Sequence, residues 1–556
     1  MLGWRRDLLW ALAAVLLMVG LTWPLALHPS DQLLSGPFGP SLVVSFELVP
    51  EAIWSGQDPH LSSELGAPFE RKARFLGWVL LLLAVPLKFL GPVRFGSLVT
   101  LASPAVAVLT MARLLRLRAP ESSDGAIGLA SFTFAFAPFY MANMANGELA
   151  KAQAWLLPLA LLVAWRLRQD WRMLPVLALV LLLAGFTSPY LLACIGLALA
   201  VDGLFGLKHW RRYVFVGAVL VVSLALVSLA FNQDGPSNEW LFSPTHRPKL
   251  SVPTVLVAPY AVAPLSSLFW PDATLTPSGL QHGVYLCWSV LLVALWGFWK
   301  KRGVALGWAV SGVLCALGPV LFLTPTWLSG VPLPIALIEP LGTGLSTSGM
   351  YYRLIQVALV GLALGMANAP LPKWSWLPLA AVFAVEVTLA QGSTLPLPTQ
   401  SLPHADLAQR IEQDPLPGSV LDLPGWPRGE TNRPHAMAFR LAHGRAVTAL
   451  PRMPKHPVEY NLCLRLLDRC IDGQGGCQAP DWTLERLEER GVRFVVLHTD
   501  QGHDTQALER TLRGRLGKPA QWPDALLWTL VPDPTPSQGW SCGPSSGNLA
   551  PPPDVQ

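Results

Sequence analysis

The sequence predicts an α-helical polytopic membrane protein with about eleven transmembrane helices, followed by a small C-terminal α/β domain outside the cytoplasm. The 556 residues are 52% hydrophobic and only 13% charged, and their mean hydropathy is +0.41, whereas globular chains carry about 25% charged residues. Apolar runs of about 20 residues, the length that crosses a bilayer as a helix, recur through residues 1–395. Beyond them, short apolar segments and amphipathic segments alternate, as in a soluble α/β domain.

Eleven apolar runs are long enough to be membrane spans. They lie near residues 8–27, 96–115, 125–142, 150–166, 173–187, 189–206, 213–231, 283–299, 304–323, 351–368 and 374–391. The first run is longer than the apolar part of a signal peptide and no small-x-small cleavage site follows it, so we expect a retained helix. A further run, 75–91, contains Pro86 and Lys88. We expect it to be a juxtamembrane helix within a long outer loop, 28–94.

The distribution of basic residues predicts the orientation. If the run 75–91 does not cross, six short loops on one face hold 15 Lys and Arg, and the longer loops on the opposite face hold nine. A crossing at 75–91 would remove this asymmetry. The positive-inside rule then places the N-terminus in the cytoplasm and the C-terminal domain in the periplasm or extracellular space. The chain is expected in the inner (cytoplasmic) membrane, and its basic residues give no reason to expect a nucleic-acid partner.

The C-terminal α/β domain is expected over residues 396–531, after a Pro-rich linker at 393–400. Residues 418–424 and 493–500 are apolar enough to be buried strands. Three amphipathic helices are predicted at 405–414, 481–491 and 504–517. Residues 532–556 are rich in Pro, Ser and Gly, a composition that predicts a disordered tail.

The seven cysteines fall into two groups. Three lie in predicted spans and are expected to be packing residues: Cys194, Cys287 and Cys315. Four lie in the predicted outward domain, where disulfides form: Cys463, Cys470, Cys477 and Cys542. Four cysteines allow three pairings, and Cys470–Cys477, which closes a glycine-rich loop, is the first choice. A metal site is the alternative, although the spacings lack the Cys-x-x-Cys of zinc knuckles.

Several short motifs occur in the order found in one known family. They are TWPLALHP (22–29), GAPFE (66–70), FAFAPFYMANMANGELAKAQAWLLPL (134–159), FTSPYLL (186–192), SGMYYRLIQVALVGLALG (348–365), and LDLPGWPRGETNR (421–433) with the later HGR and FVVLH. In this order the chain resembles the GT-C-fold membrane glycosyltransferases that depend on polyprenyl-phosphate sugars, in their uncharacterised bacterial branch. The resemblance implies a GT-C-like membrane domain. It also implies transfer of a sugar from a polyprenyl-phosphate lipid to a glycan or protein acceptor at the outer face of the membrane.

The resemblance also implies an acidic residue in the first outer loop, where the family has a Gly-Asp dipeptide. The matching dipeptide here is Gly39-Pro40, and proline can neither accept a proton nor bind a metal. The remaining candidates for a catalytic base are Glu47 first, then Asp31 and Glu51. The alternative is that all three are solvated loop carboxylates. Whether the chain is an active enzyme therefore stays open at this point.

Other polar residues lie at the predicted outer ends of the spans. Arg353, beside Tyr352, can offer paired donors to a lipid phosphate, or it can serve as an ordinary interfacial anchor. Lys151 and His282 are further candidates for the phosphate contact. Glu148 follows an outer turn and is a candidate contact for an acceptor or a cation, or a charge favoured by a helix dipole.

The sequence contains no Walker loop, Rossmann glycine pattern, nucleophile elbow or HExxH motif, which fits a donor that arrives from the bilayer as a lipid-linked sugar. No cofactor is evident; a divalent cation is possible, and its ligands are unknown. One alternative is a non-catalytic GT-C-fold protein that binds a lipid or glycan, an interpretation that Pro40 favours. A transporter is another, although internal repeats and paired intramembrane charges are not visible. Glu386, in the last run, is expected to extend to the interface.

The orientation can be tested with single cysteines introduced at Pro236 and Lys301. Because the predicted loop around Pro236 is outside and the basic loop at Lys301 is inside, a membrane-impermeant maleimide added to intact cells should label only the first. Both cysteines should react after permeabilisation, which controls for burial. Labelling of the Lys301 position alone in intact cells would reverse the topology.

Overall fold

The computed structural model describes residues 2–36, 38–59, 61–62, 71–72, 77–232, 262–271, 274–275, 281–324, 327–338, 351–390, 395–423, 433–447, 491–499 and 505–531. Three predictions lie outside these residues. They are the disulfides among Cys463, Cys470, Cys477 and Cys542, the helix 481–491 apart from its last residue, and the tail 532–556.

The chain divides into two units. The first comprises Met1–Leu42 and Leu76–Gln400, and the second Val43–Phe75 and Ser401–Gln556. The sequence assigned the whole outer loop 28–94 to the membrane domain, but its middle part belongs to the second unit. The physical reason is hydrophobic burial. Val44 is fully buried in a core whose other buried residues come from the C-terminal part of the chain.

The first unit is mainly helical. Its α-helices are α1 Leu2–Leu21, α2 Trp23–Leu27, α3 Gly39–Trp54 (which continues into the second unit), α4 Trp78–Ala84, α5 Pro92–Arg118, α6 Asp124–Ala135, α7 Pro138–Ala145, α8 Leu156–Leu167, α9 Met173–Thr187, α10 Pro189–Phe205, α11 Trp210–Asn232, α12 Leu265–Phe269, α13 Trp288–Lys300, α14 Val304–Ala316, α15 Ile335–Ile338, α16 Ile355–Ala367 and α17 Trp376–Leu389. Short strands lie at Gln32–Leu34, Thr274–Leu275, Gln281–His282, Val320–Thr324, Trp327–Pro332 and Thr399–Ser401.

A helix lies at each of the eleven predicted spans. By length and composition, two of the described helices could cross a membrane, Pro92–Arg118 and Trp210–Val227. The bent pair α6–α7 makes a third if it is one span, and seven other apolar helices have 10–17 residues. The helical positions are therefore confirmed, and the number of spans stays a prediction.

The prediction of one helix over 75–91 is wrong in its length. The helix α4 has seven residues, so it rises about 10 Å, a third of the bilayer core. It ends before Pro86, because a proline has no N–H for the helical ladder. A short 3-10 turn, Lys88–Leu90, follows. The predicted outer loop 28–94 also holds the 16-residue helix α3, which carries Glu47 and Glu51.

The helix α16 is buried along its whole length, and glycines let its neighbours approach it. A Cβ on Gly312 of α14 would lie 2.2 Å from the backbone nitrogen of Ala358, and one on Gly361 would lie 2.4 Å from that of Ala309. Both distances are shorter than real carbon contacts. In apolar surroundings such small residues let helices pack backbone against backbone.

Buried acids pair with bases of the short basic loops. Asp7 is fully buried and lies 2.7 Å from Nε of Arg116. Asp202, 1% exposed, accepts from Arg118 at 2.6 Å and from Arg168 at 2.8 Å. The arginines that predicted the topology therefore also balance charges that are removed from water.

The expectation that Glu386 extends to the interface stays a prediction, and the structure gives its carboxylate three protein donors. Its carboxylate accepts from the backbone N–H of Ser289 at 3.1 Å, from the hydroxyl of the same residue, and from Tyr285 Oη at 3.2 Å. The two donors of Ser289 lie at the start of α13, where the helix dipole favours a negative charge. Glu386 therefore faces protein.

The second unit contains both helices and strands, and the bounds and outward location of a C-terminal α/β domain stay a prediction. Its helices are α18 Ala405–Glu412, α19 Arg433–His443 and α20 Gln506–Leu516, and its strands are Leu61–Ser62, Arg71–Lys72, Ser419–Leu423, Val492–His498, Ala520–Trp522 and Ala525–Thr529. The predicted elements at 405–414, 418–424, 493–500 and 504–517 are confirmed. The helix α19 and the last two strands were not predicted.

The last four strands form one mixed sheet. Val492–His498 runs parallel to Ser419–Leu423 on one side and antiparallel to Ala525–Thr529 on the other, and Ala520–Trp522 completes the sheet. One face packs on α20 through Leu508 and Leu512. The opposite face packs on α18 and α19, so the two parallel strands are buried on both sides.

Because α14 approaches α16 so closely, a methyl group added at Gly312 should lower the stability, whereas one added at an open position should not. We expect Gly312→Ala to lower the stability by about 1–3 kcal/mol, the usual cost of overpacking, because the new Cβ meets the backbone of α16. Gly217→Ala is the matched control, since its Cβ would have no atom within 4 Å. Melting temperatures of the two variants in detergent give the comparison. Equal melting temperatures would contradict the packing described.

Candidate functional site

A glycine shapes the turn that carries Glu148. Gly147 has a φ of +74°, in the left-handed region that glycine adopts without strain, and the N–H of Glu148 then donates to the carbonyl of Asn143 at 2.8 Å. A Cβ on Gly147 would lie 2.2 Å from the nitrogen of Gly39. The turn therefore packs backbone to backbone against the dipeptide Gly39-Pro40, the position where the resemblance implies an acid.

Glu148 is buried and its charge is balanced locally. Its carboxylate forms an ion pair with Nζ of Lys151, three residues later. The same ammonium lies 6.0 Å from the ring centroid of Phe38, in the first outer loop. Glu148 also attracts the charge of Arg353. The first outer loop, the turn after α7 and the start of α16 thus contribute to one polar cluster.

Arg353 lies in a 3-10 turn, Tyr351–Leu354, directly before α16, and is 7% exposed. Its guanidinium carbon lies 4.3 Å from the centroid of the Tyr190 ring, and Nε donates to Tyr352 Oη at 3.4 Å. The described part of the chain offers this guanidinium no carboxylate at ion-pair distance. A buried cation is thus surrounded by tyrosines, with Glu148 acting from farther away.

We call Glu148, Lys151, Tyr190, Tyr352 and Arg353 the arginine cluster. Four of these were candidates from the sequence, and the structure brings them together. Tyr190 was missed as a site residue, although it lies in the motif FTSPYLL that the resemblance singled out. His282, the fifth candidate for this region, forms a short strand with Gln281; its side chain lies outside the described atoms.

The three candidates for a catalytic base lie elsewhere. Asp31 is exposed in the turn after α2 and accepts from Ser30 Oγ at 3.1 Å. Glu47 belongs to the second unit, where its carboxylate lies 2.7 Å from Nη1 of Arg440, a side chain that is 1% exposed. Glu51, one helical turn later, is exposed. The structure therefore gives Glu47 a stabilising partner, and the catalytic role of all three stays a prediction.

Three histidines converge in the second unit, and we call them the histidine cluster. His404 precedes α18, His435 lies in the first turn of α19, and His498 ends its strand. Nδ1 of His498 is 3.1 Å from Nε2 of His435 and 3.1 Å from Nε2 of His404. One nitrogen from each ring lies within 4.8 Å of the others. The cluster is the arrangement most suited to a metal among the described residues.

The carboxyl group of Asp422 contacts the ring nitrogen of His498 that faces away from the other two histidines. Nε2 of His498 lies 3.1 Å from Oδ1 of Asp422, which is 3% exposed. Burial raises the pKa of this carboxyl to about 7. Asp422 and His498 lie at the carboxyl ends of the two parallel strands, the edge at which open α/β sheets bind ligands. Sequence spacing could not reveal the cluster, because its members are 31 and 63 residues apart.

The fold is similar to those of solved glycosyltransferases. The arabinofuranosyltransferase AftD from mycobacteria matches with a TM-score of 0.51 and 13% identity, covering 95% of this chain and 41% of that chain. A second match is the archaeal oligosaccharyltransferase AglB from Archaeoglobus fulgidus, in complex with an inhibitory peptide and a dolichol-phosphate. Its TM-score is 0.48 at 12% identity, and the match covers 90% of this chain and 70% of that chain. No family model and no curated protein matches the sequence.

The likeness to AftD confirms the GT-C fold that the order of motifs implies. At 13% identity it is evidence for the fold alone. The chain spans less than half the length of that arabinofuranosyltransferase.

The ion pair of Glu47 predicts a loss of stability when its charge is removed. We expect Glu47→Gln to destabilise the protein by about 1–3 kcal/mol, because the buried guanidinium of Arg440 loses its anionic partner. Glu412→Gln, on the exposed face of α18, is the control and should change little. Melting temperatures in detergent measure both effects, and an unchanged value for Glu47→Gln would mean that the pair contributes nothing.

Proposed function

We propose that this chain is a membrane glycosyltransferase that transfers a sugar from a polyprenyl-phosphate donor to a glycan or protein acceptor at the outer face of the cytoplasmic membrane. The GT-C fold supports the general class. The single observation that carries the proposal is Arg353, a buried guanidinium at the end of an apolar helix, surrounded by tyrosines.

A buried guanidinium without an adjacent counter-charge is unfavourable by several kcal/mol. The ring of Tyr190 offsets part of this cost through a cation–π interaction. The hydrogen bond to Tyr352 uses Nε, and the two terminal amino groups remain as the fork that matches a phosphate. An anionic lipid headgroup that arrives through the bilayer would supply the missing charge. Ionisable residues inside membrane domains are typically functional for this reason.

In this proposal Glu148 provides the contact to the acceptor. An acceptor hydroxyl would attack the anomeric carbon while the bond from that carbon to the phosphate oxygen breaks. The hydroxyl proton would pass to the carboxylate, and Arg353 would stabilise the departing polyprenyl phosphate. The choice of Glu148 is supported by the turn that carries it, since Gly147 of this turn packs against the backbone of Gly39, beside the place of the missing acid.

The described residues of the arginine cluster do not fit a divalent cation. Mg²⁺ and Ca²⁺ prefer several oxygen ligands, whereas the cluster offers one carboxylate that is already paired with an ammonium. We therefore propose no step through a metal ion here. Lys151 already provides the positive charge next to this carboxylate.

A second candidate function has its own observation. Pro40 stands where the family resemblance implies an acid, which favours a non-catalytic protein that binds a lipid phosphate or a glycan. Both functions use Arg353, and they differ only in whether Glu148 takes part in a reaction.

The phosphate contact predicts a graded loss of transfer. We expect Arg353→Gln to lower kcat by about 100- to 1,000-fold, the usual effect of losing a transition-state donor, and Arg353→Lys to recover part of it. The assay measures sugar transfer from a polyprenyl-phosphate donor in membranes that contain equal amounts of folded protein. Wild-type transfer by Arg353→Gln would reject the phosphate role.

The acceptor contact predicts that Glu148→Gln lowers kcat by about 100- to 10,000-fold while binding of the lipid phosphate persists. Asp31→Asn is the matched control, because Asp31 is an exposed carboxylate of the same unit, and should transfer at the wild-type rate. If Glu148→Gln were fully active and Asp31→Asn inactive, the catalytic base would be a residue of the first outer loop and not Glu148. If the wild type binds polyprenyl phosphate through Arg353 but transfers no sugar, the protein is the non-catalytic binder.

A further inference from the structure

We propose that His404, His435 and His498 bind a divalent transition-metal ion, with Zn²⁺ as the first choice. The site would be built by three separate elements of the second unit. It is independent of the glycosyltransferase role proposed for the first unit, because each can hold without the other.

The spacing of the ring nitrogens matches a metal site. Zn²⁺ binds histidine nitrogens at about 2.0–2.1 Å, so two nitrogens on a tetrahedral ion lie about 3.3 Å apart. Nδ1 of His498 lies 3.1 Å from the nearest nitrogen of each of the other two rings. All three nitrogens lie within 4.8 Å of one another, so small ring rotations place them around one ion.

The tautomer of His498 determines which of its ring nitrogens can bind a metal. Nε2 of His498 lies 3.1 Å from Oδ1 of Asp422; in the tautomer that donates from Nε2 to this carboxylate, Nδ1 carries the lone pair that a metal needs. A lone pair accepts one N–H in line, yet two imidazole nitrogens lie 3.1 Å from it. A cation at the centre would bind one nitrogen from each of the three rings.

Asp422 has the position of a supporting carboxylate. Histidines that bind metals usually donate their other ring N–H to a carboxylate or carbonyl, which sets the tautomer and the ring orientation. The Asp422–His498 contact has this form. His404 adds a further sign, since its φ of +51° lies in the left-handed region that residues with a Cβ adopt at a cost, often at functional positions.

The donor set selects the class of ion. Three neutral imidazoles suit Zn²⁺, Cu²⁺ or Ni²⁺, whereas Ca²⁺ and Mg²⁺ need oxygen ligands. His498 is buried and the other two rings are partly buried, which leaves a route for the ion from solvent. Within the described residues the site offers three protein ligands, the number found where zinc keeps a position for water or a substrate.

The test uses the full chain in detergent, stripped with a chelator and titrated with Zn²⁺ against a chromophoric competitor. We expect one tightly bound Zn²⁺ per chain, counted by elemental analysis. His435→Gln and His498→Gln should weaken the affinity more than 100-fold, and Asp422→Asn by about 10- to 100-fold, the usual effect of a supporting carboxylate. His28→Gln is the control, because His28 is exposed in the first unit and should leave the affinity unchanged.

A thermal readout separates a metal site from a purely structural histidine cluster. A bound ion stabilises the folded state, so Zn²⁺ should raise the melting temperature of the wild type and of His28→Gln, but not of His435→Gln. Mg²⁺ should raise none of them. Less than one Zn²⁺ per wild-type chain, or equal affinity in His435→Gln, would overturn the proposal. If His498→Gln fails to fold, the Zn²⁺ affinity and melting temperature of His435→Gln still test the metal site, because His435 is only partly buried.

Discussion

The free energy needed to remove charge from water explains the placement of the polar side chains in both units. An isolated charge in a low-dielectric interior is too unfavourable to persist unless it finds a partner. Asp7 and Asp202 meet arginines of the short loops, Glu386 meets the start of a helix, and Arg440 meets Glu47. Among the described residues, Arg353 departs from this pattern, because tyrosines and not a carboxylate surround its guanidinium, and the proposed anionic ligand is based on this difference.

Backbone-to-backbone contact is the second constraint, and glycines make it possible. Gly312 and Gly361 bring α14 against the buried helix α16, which starts directly after the turn that holds Arg353. Gly147 brings the turn of Glu148 against Gly39. A side chain at any of these positions would separate the elements, so the geometry of the arginine cluster depends on residues that have no functional groups of their own.

The elements of the fold could largely be predicted, because helices and strands follow from periodicity and apolar length. A helix lies at each of the eleven predicted runs, and the strands Ser419–Leu423 and Val492–His498 lie where the pattern placed them. The last hairpin and α19 were missed, since short amphipathic segments carry a weak local signal. The assignment of Val43–Phe75 to the second unit could not be predicted, because it depends on which core receives Val44.

The sequence by itself determined that the chain has the hydropathy of a membrane protein, the motif order of the GT-C fold, and Glu148, Lys151, Tyr352 and Arg353 as polar residues at span ends. Only the tertiary structure decided which of them meet, and it placed Glu47 against a buried arginine instead. It also assembled the three histidines from positions that share no local pattern. The physical reason is that residue chemistry and periodicity are local properties, whereas a binding site is a set of distances that only the folded chain creates.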